Sequence, residues 1–305
     1  MTWLGSTGDG SHFAPTEHAS FFFDRLAAMS VVLRSGIVRI PTIAKQLEVP
    51  RIVSDANVAW TDEGTEITPS DPGSDTVTAI PRALKALVYA SNELIADSNP
   101  QAQNVLATNL ARATALKLDL GFLEGSGTSP EITGLKNQSG IQAIDHGTAA
   151  LTDLDPFADA LGLLGEADAI GMDDDQEGDL SGYAIVMHPR NWRALTKIKE
   201  TDTSNKPVIV EGAGSPTSGV QRSIYGVRVW LTSQLSTDEG TGTDENSIYV
   251  YDKTQVVAVI RQDATVETDR SAAFSSDRTA VRVVMRADLV LPNPAAVVRI
   301  SGVTA

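Results

Sequence analysis

The sequence predicts an α+β chain in which one long amphipathic helix lies along a β-sheet and two segments reach out of the folded body. Three observations carry this. A helical period runs through positions 100–124, residues 281–286 alternate between apolar and charged, and a β-rich ribbon at 46–82 holds few large apolar residues to seal it.

Taken in order, residues 1–14 are a tail rich in glycine, serine and threonine, and 15–45 read as an arm rather than a domain, so that 1–45 form one N-terminal arm. Within it Phe21, Phe22 and Phe23 are consecutive, too apolar a cluster to leave in water. Burial in the chain's own core and strapping onto a neighbouring subunit both satisfy them. From 46 to 82, two β-rich runs near Arg51–Trp60 and Asp75–Ile80 flank a loop of Asp, Gly, Pro, Ser and Thr, the pattern of a long hairpin. A two-stranded ribbon is marginal by itself in water. This one is expected to gain order by lying on another subunit.

A strand near Ala83–Tyr89 and a helical turn at 92–97 lead into the long helix. Asn99 can cap it, Pro100 suits its first position, and Gly125-Ser126-Gly127 stops it. At about 1.5 Å per residue it spans roughly 37 Å. Leu106, Leu110, Ala113, Leu116, Leu120 and Leu123 recur at spacings of three and four, with Gln103, Asn109, Arg112 and Asp119 elsewhere on the wheel. With no second long helix to pair with, such a stripe calls for a sheet.

After a loop at 128–142, a second helix starts at Asp155 with Pro156 in its first turn and Phe157, Leu161 and Leu164 on one face. Tyr183–Met187 reads as a short buried strand, and His188-Pro189 opens a third helix holding Trp192 and Leu195. Strand-like runs follow at 208–210, 227–231, 248–251 and 256–260. Val281, Val283 and Met285 then alternate with Arg282, Val284 and Arg286, a sheet with one face charged. The strands are expected to be mainly antiparallel, without βαβ repetition.

Composition narrows the function. The chain has 305 residues, 42% of them hydrophobic, enough for an ordinary core. It has no cysteine, which removes disulfides, thiolate metal sites and a cysteine nucleophile. No secretory signal is evident, and no stretch reaches the ~18 apolar residues of a membrane span. The net charge of −15 is uneven: between Lys136 and Arg190 there is no lysine or arginine, and there are eleven acids from Asp145 to Asp179. That surface repels phosphate and argues against a sequence-reading nucleic-acid binder.

Catalytic signatures are missing. His12, His18, His146 and His188 share no ligand spacing, and His188 before Pro189 reads as a turn or cap residue. Neither H-E-x-x-H nor G-x-S-x-G occurs, and the glycine runs at 125 and 212 lack the Gly-Lys-Ser/Thr ending of a triphosphate loop. Asp173–Gly178 starts like a calcium loop, but the twelfth position, where a bidentate glutamate belongs, is Ala184. No catalytic, cofactor-binding or metal-ligating residue is assigned. A hydrolase with an acidic site in 153–179 is the alternative of another class, and it calls for a cleft that gathers those carboxylates.

Several landmarks occur in a telling order. Trp60-Thr-Asp-Glu63-Gly64, Ser91-Asn-Glu93-Leu94-Ile-Ala-Asp97-Ser98, and Asp119-Leu-Gly-Phe122-Leu123-Glu-Gly125-Ser-Gly127 come first, with Pro130 and Gly134-Leu135. Val186-Met187-His188-Pro189, Ile224-Tyr-Gly226-Val-Arg-Val229 and Leu289-Val290-Leu291-Pro292 follow. Over roughly 20–300 the series resembles the major capsid proteins of tailed bacteriophages, which have the HK-ninety-seven-like fold.

The resemblance implies a shell subunit that self-assembles as pentamers and hexamers into an icosahedral head around double-stranded DNA. It implies an N-terminal arm (1–45), an extended loop (46–82), a peripheral domain (83–139 and 246–305) with its spine helix at about 100–124, and an axial domain (140–245). Subunit contacts are expected from Phe21, Phe22, Phe23, Arg51, Trp60, Glu63 and Arg82. DNA would be held loosely and without sequence specificity, a portal and a separate scaffolding protein would assist, and assembly would take place in the host cytoplasm, with no membrane involved. About fifteen residues precede the arm, which is why scaffolding is expected from another protein. Some relatives weld subunits through a lysine in the extended loop; between Lys45 and Lys85 this chain has none, so noncovalent assembly is expected. The nearest alternative is an encapsulin-type compartment, a shell of the same fold that encloses a cargo enzyme.

Overall fold

The computed structural model describes residues 29–304 apart from 55, 59, 63, 65, 67–68, 94–100, 168, 170–179, 201–207, 209–221 and 241. The alternation at 281–286 builds the centre of its first sheet. Strand β11 (Arg278–Val290) pairs antiparallel with β10 (Val257–Ala273) on one side and with β4 (Arg82–Ser91) on the other. Strand β1 (Val38–Pro41) adds parallel to β10, giving the order β1-β10-β11-β4. Val283 and Met285 are buried, while Arg282 on the opposite face is exposed and ion-paired with Glu267 of β10.

The long helix α2 (Gln101–Glu124) lies along the buried face of this sheet. At ~1.5 Å per residue its 24 residues span about 36 Å. Asn99 and Pro100 lie outside the described residues, and of α2 the side chains from 108 onward are described. The buried seam differs from the expected stripe. Leu110 and Leu123 are buried, but Ala113 is exposed and Leu116 and Leu120 are half-buried, while Ala111, Ala115, Leu118 and Phe122 form the seam. Asp119, placed on the polar side by the wheel, is fully buried. The reason is a second neighbour: α2 packs against the root of the arm as well as against the sheet.

That root is helix α1 (Val31–Arg34), capped by Ser30. Val32, Leu33 and Ile37 enter the core beside α2. The Asp119 carboxylate takes the first donors of the short helix: Ser30 Oγ at 2.6 Å, the Val31 amide at 2.8 Å and the Val32 amide at 3.2 Å. These amides belong to the orphan donors at any helix start, and a carboxylate there also meets the positive end of the peptide dipoles. Just beyond α1, the Ser35 hydroxyl shares a 2.7 Å hydrogen bond with Tyr251.

Gly125 ends α2 at the glycine cluster that the sequence marks as its stop. Its neighbour in space is Gly134, and a Cβ on Gly134 would lie 2.3 Å from the Gly125 nitrogen, so this close return of the chain requires glycine.

The second sheet has six strands in the order β5-β12-β9-β6-β8-β7. They are β5 (Gln142–Ala150), β6 (Tyr183–Met187), β7 (Ser223–Ile224), β8 (Val227–Leu231), β9 (Asn246–Asp252) and β12 (Val297–Thr304). Helices α3 (Asp155–Glu166) and α4 (Pro189–Leu195) cover one face, burying Phe157, Leu164, Trp192 and Leu195 against Ile185, Met187, Val250 and Ile300. His188 is the N-cap of α4, its Nδ1 accepting from the Arg190 amide at 3.1 Å. From the other face Val186, Tyr249 and Tyr251 join the core that contains α2.

Pairing is mainly antiparallel, as expected: among the described residues six of the nine strand pairs are antiparallel, and β1/β10, β5/β12 and β6/β8 are parallel. Helix α4 makes β6–α4–β8 a single parallel crossover. Strands β9 and β12 come from 246–305, the stretch assigned above to the peripheral domain, so the sheet boundary does not follow the expected chain boundary at 245. A half-buried ionic joint ties the two regions together. Glu239 accepts from Lys136 Nζ (2.6 Å), Ser247 Oγ (2.7 Å) and Arg299 Nη2 (3.1 Å), and Glu124 at the end of α2 accepts from the Ser236 amide at 2.8 Å.

Candidate assembly surface

Strands β2 (Leu47–Ser54) and β3 (Gly73–Ala79) form a two-stranded sheet of their own, with Leu47 opposite Ala79 and Arg51 opposite Asp75. Its root is built into the body. Ala79 is buried with Val257, Val259 and Val290, and Leu47, Val49 and Val77 pack against that cluster. Asp288 fixes the end of β3 by accepting from the Ile80 amide at 2.7 Å. Burial pushes the Asp288 carboxyl above its usual range, and the Ile80 and Leu289 amides and the charge of Arg82 oppose that rise.

Beyond Pro50 the apolar cover ends. Ile52 is 70% exposed, Val53 64%, Val58 92% and Trp60 fully so. An indole and three aliphatic side chains in water are costly, at roughly 1.5–3 kcal/mol for each large side chain that could be buried. What shapes the ribbon there is polar. Arg51 grips Asp75 Oδ2 through Nε (3.1 Å) and Nη2 (2.6 Å), which holds the Asp75 carboxyl below the usual carboxylate range, and Ser54 Oγ accepts from the Gly73 amide at 3.0 Å. A second apolar exposure lies on the outer face of β4, where Leu87 and Tyr89 point away from α2.

The residues named from sequence as contacts therefore fall in different places. Trp60 stands at the exposed end of the ribbon, Arg51 midway along it, and Arg82 half-buried at its root beside Asp288. Phe21, Phe22, Phe23 and Glu63 lie outside the described residues. Sequence reasoning passed over Ile52, Val53, Leu87 and Tyr89; alternation within 47–54 and 82–91 was the available signal.

The acidic stretch makes no catalytic cleft among the described residues. Asp155, Asp159 and Glu166 face solvent along α3, and no group of His, Asp and Glu there could hold a metal ion. In the hollow lined by Lys136, Asp145, Glu239 and Glu245 the carboxylates are engaged: Asp145 by the Gly147 amide, Glu239 by Lys136 and Arg299, and Glu245 by Thr148. No helix among the described residues is long and apolar enough to cross a membrane.

A model of the phage capsid family matches residues 10–302. The chain belongs to that family. It is 24% identical over 258 residues to the major capsid protein of Klebsiella oxytoca phage phiKO2, covering 83% of this chain and 56% of that protein. It is 20% identical over 213 residues to the major capsid protein of Halomonas phage phiHAP-1, covering 70% of this chain and 31% of that one. The chain thus spans about half, or less, of the length of these curated relatives.

Among solved structures, the capsid of an empty GTA particle superposes with a TM-score of 0.67 at 18% identity, over 90% of both chains. The Gordonia phage Cozz structure gives 0.66 at 14% identity over 90% and 87%. A virus-like particle from Pyrococcus furiosus gives 0.53 at 13% over 93% and 98%. The fold of this family member is the HK-ninety-seven-like capsid fold.

Proposed function

We propose that the chain is a major capsid protein, a non-catalytic subunit that assembles as pentamers and hexamers into the icosahedral head of a tailed phage around double-stranded DNA. The observation that carries this is the ribbon tip: Ile52, Val53, Val58 and Trp60 are exposed together in a chain matched to the capsid family over 10–302. An apolar tip on a projecting ribbon is incomplete until another surface covers it. In a shell that surface is the next subunit, and binding energy that each subunit lacks by itself is supplied by mass action in the assembly.

The arm (1–45), extended loop (46–82), peripheral part with its spine helix and axial part are proposed to divide this work. The acidic 137–189 stretch leaves DNA loosely held. A portal and a separate scaffolding protein are proposed partners, and the host cytoplasm the place of assembly. Negative-stain microscopy of the purified chain tests the proposal: closed shells large enough for a genome are expected, and a persistent monomer overturns it. The encapsulin-type alternative, a smaller compartment filled with protein cargo, is the second reading, and particle size and contents separate the two. Boiled shells are expected to run as a single band near the 32.3 kDa chain mass, since 46–84 lacks lysine; a ladder contradicts noncovalent assembly.

A further inference from the structure

The six-stranded sheet carries its unpaired charge unevenly. Over its β5 side lies α3, which packs on β12, β9 and β5. Along the exposed side of α3, Asp155, Asp159 and Glu166 recur at i, i+4 and i+11, a stripe about 40° wide at ~100° per residue. Toward the other side, α4 is the crossover from β6 to β8, and Arg193 stands exposed on it. Arg222 is exposed at the entry to β7, and Arg228 is exposed on β8, its guanidinium 4.1 Å from the centre of the Trp230 ring. Among the described residues none of these six forms an ion pair. At ~4.8 Å between neighbouring strands, β5 and β7 are roughly 24 Å apart.

A ring of identical copies closes through heterologous contacts, in which two different patches meet. Acid at one edge and base at the other meet that requirement. An isologous pairing of either edge would set like charges against each other. We infer that the acidic α3 edge of one copy docks on the basic α4–β8 edge of the next copy, forming an electrostatic contact around each ring; this rests on the shell reading. The partner is a second copy because the same chain supplies both signs on opposite edges. Duplex DNA fits the basic edge alone and leaves the acidic edge without a partner.

The test uses the full chain with two charge-reversed variants, D159K/E166K (both edges basic) and R193E/R222E (both edges acidic). Sedimentation velocity at low salt reads ring formation, and circular dichroism verifies that each variant is folded. Wild type is expected to form rings that weaken near 1 M salt, where the Debye length is ~3 Å. Each variant by itself is expected to lose rings, and an equal mixture to regain them as even-membered rings, hexamers without pentamers, because unlike copies must alternate. A chain carrying all four substitutions regains both. Folded variants that assemble like wild type, or a mixture that stays monomeric, overturn the contact and leave the shell reading standing. Normal assembly of R193E/R222E with loss of duplex DNA binding assigns that edge to DNA and likewise overturns it. A wild-type chain that never leaves the monomer overturns both.

Discussion

The root of the arm and the tip of the extended ribbon are neighbours in sequence with opposite solutions to the same problem. Around α1, a short segment buries Val32, Leu33 and Ile37 and hands its first donors to Asp119, 88 residues away from Val31 along the chain. Between Ile52 and Trp60, apolar side chains of similar size face water. The first segment is completed by its own chain. The second has no such cover within its own chain; on the shell reading proposed above another subunit completes it, which places the stability of the subunit and that of the shell in different residues.

Substitutions can break this contrast from either side. The largest expected effect is Asp119→Ala, which leaves the buried Ser30 hydroxyl and Val32 amide and the half-buried Val31 amide without an acceptor. A loss of about 3 kcal/mol is expected, a fall of roughly 10 °C in the Tm of the unassembled chain. Leu33→Ala, by cavity formation in the same place, should cost about 3 kcal/mol in denaturant unfolding. If either change is silent in the free chain but harmful in shells, the arm root is held by neighbours after all.

The ionic joint is expected to matter less and to depend on pH. Burial pushes the Glu239 carboxyl up, but hydrogen bonds from Lys136 and Ser247 and the charges of Lys136 and Arg299 outweigh that and hold it below its ordinary range. A carboxyl with a lowered folded pKa stabilises the fold above its unfolded value and loses that contribution as pH falls through the folded one. Glu239→Gln should therefore cost ~2 kcal/mol at neutral pH, with the gap to wild type closing in acid unfolding curves below about pH 4.5. Asp119 has the opposite sign: burial raises its pKa more than its hydrogen bonds lower it, so protonation is favoured in the fold and its contribution declines as pH rises from the unfolded to the folded value. An Asp119→Asn comparison across the same range should widen where the Glu239 one closes.

The smallest effects on the free chain belong to the ribbon. Trp60→Ala should shift the unfolding midpoint by less than ~0.5 kcal/mol, yet slow or abolish shell formation in light scattering, as loss of an aromatic anchor does at interfaces. Arg51→Ala should leave Tm unchanged and make the ribbon more sensitive to limited proteolysis.

Much of this architecture could be read from local pattern. The span of α2 after position 100, the start of α3 at Asp155, the strand Tyr183–Met187 and the alternation of β11 all follow from periods contained within a few residues. The ribbon was legible from composition, since it offers little to bury. What escaped depends on distant partners. Asp119 looks like a solvent-facing residue until α1 brings three donors to it. Strand β5 is mostly exposed along one edge and carries a weak apolar signal, and β12 has its period interrupted by Ser301 and Gly302 where its register shifts. The apolar exposure was legible at Trp60, whose indole stands out by itself; that of Leu87 and Tyr89 was hidden because β4 alternates between half-buried and exposed positions.

Hydrogen exchange on free and assembled chains, read by mass spectrometry for peptides covering 30–37 and 47–79, tests the central claim most directly. The account predicts slow exchange in 30–37 in both states, and fast exchange between Ile52 and Gly73 in the free chain that becomes slow once shells have formed. Equal protection of the ribbon and the arm root before assembly, or no gain in the ribbon afterward, would contradict it.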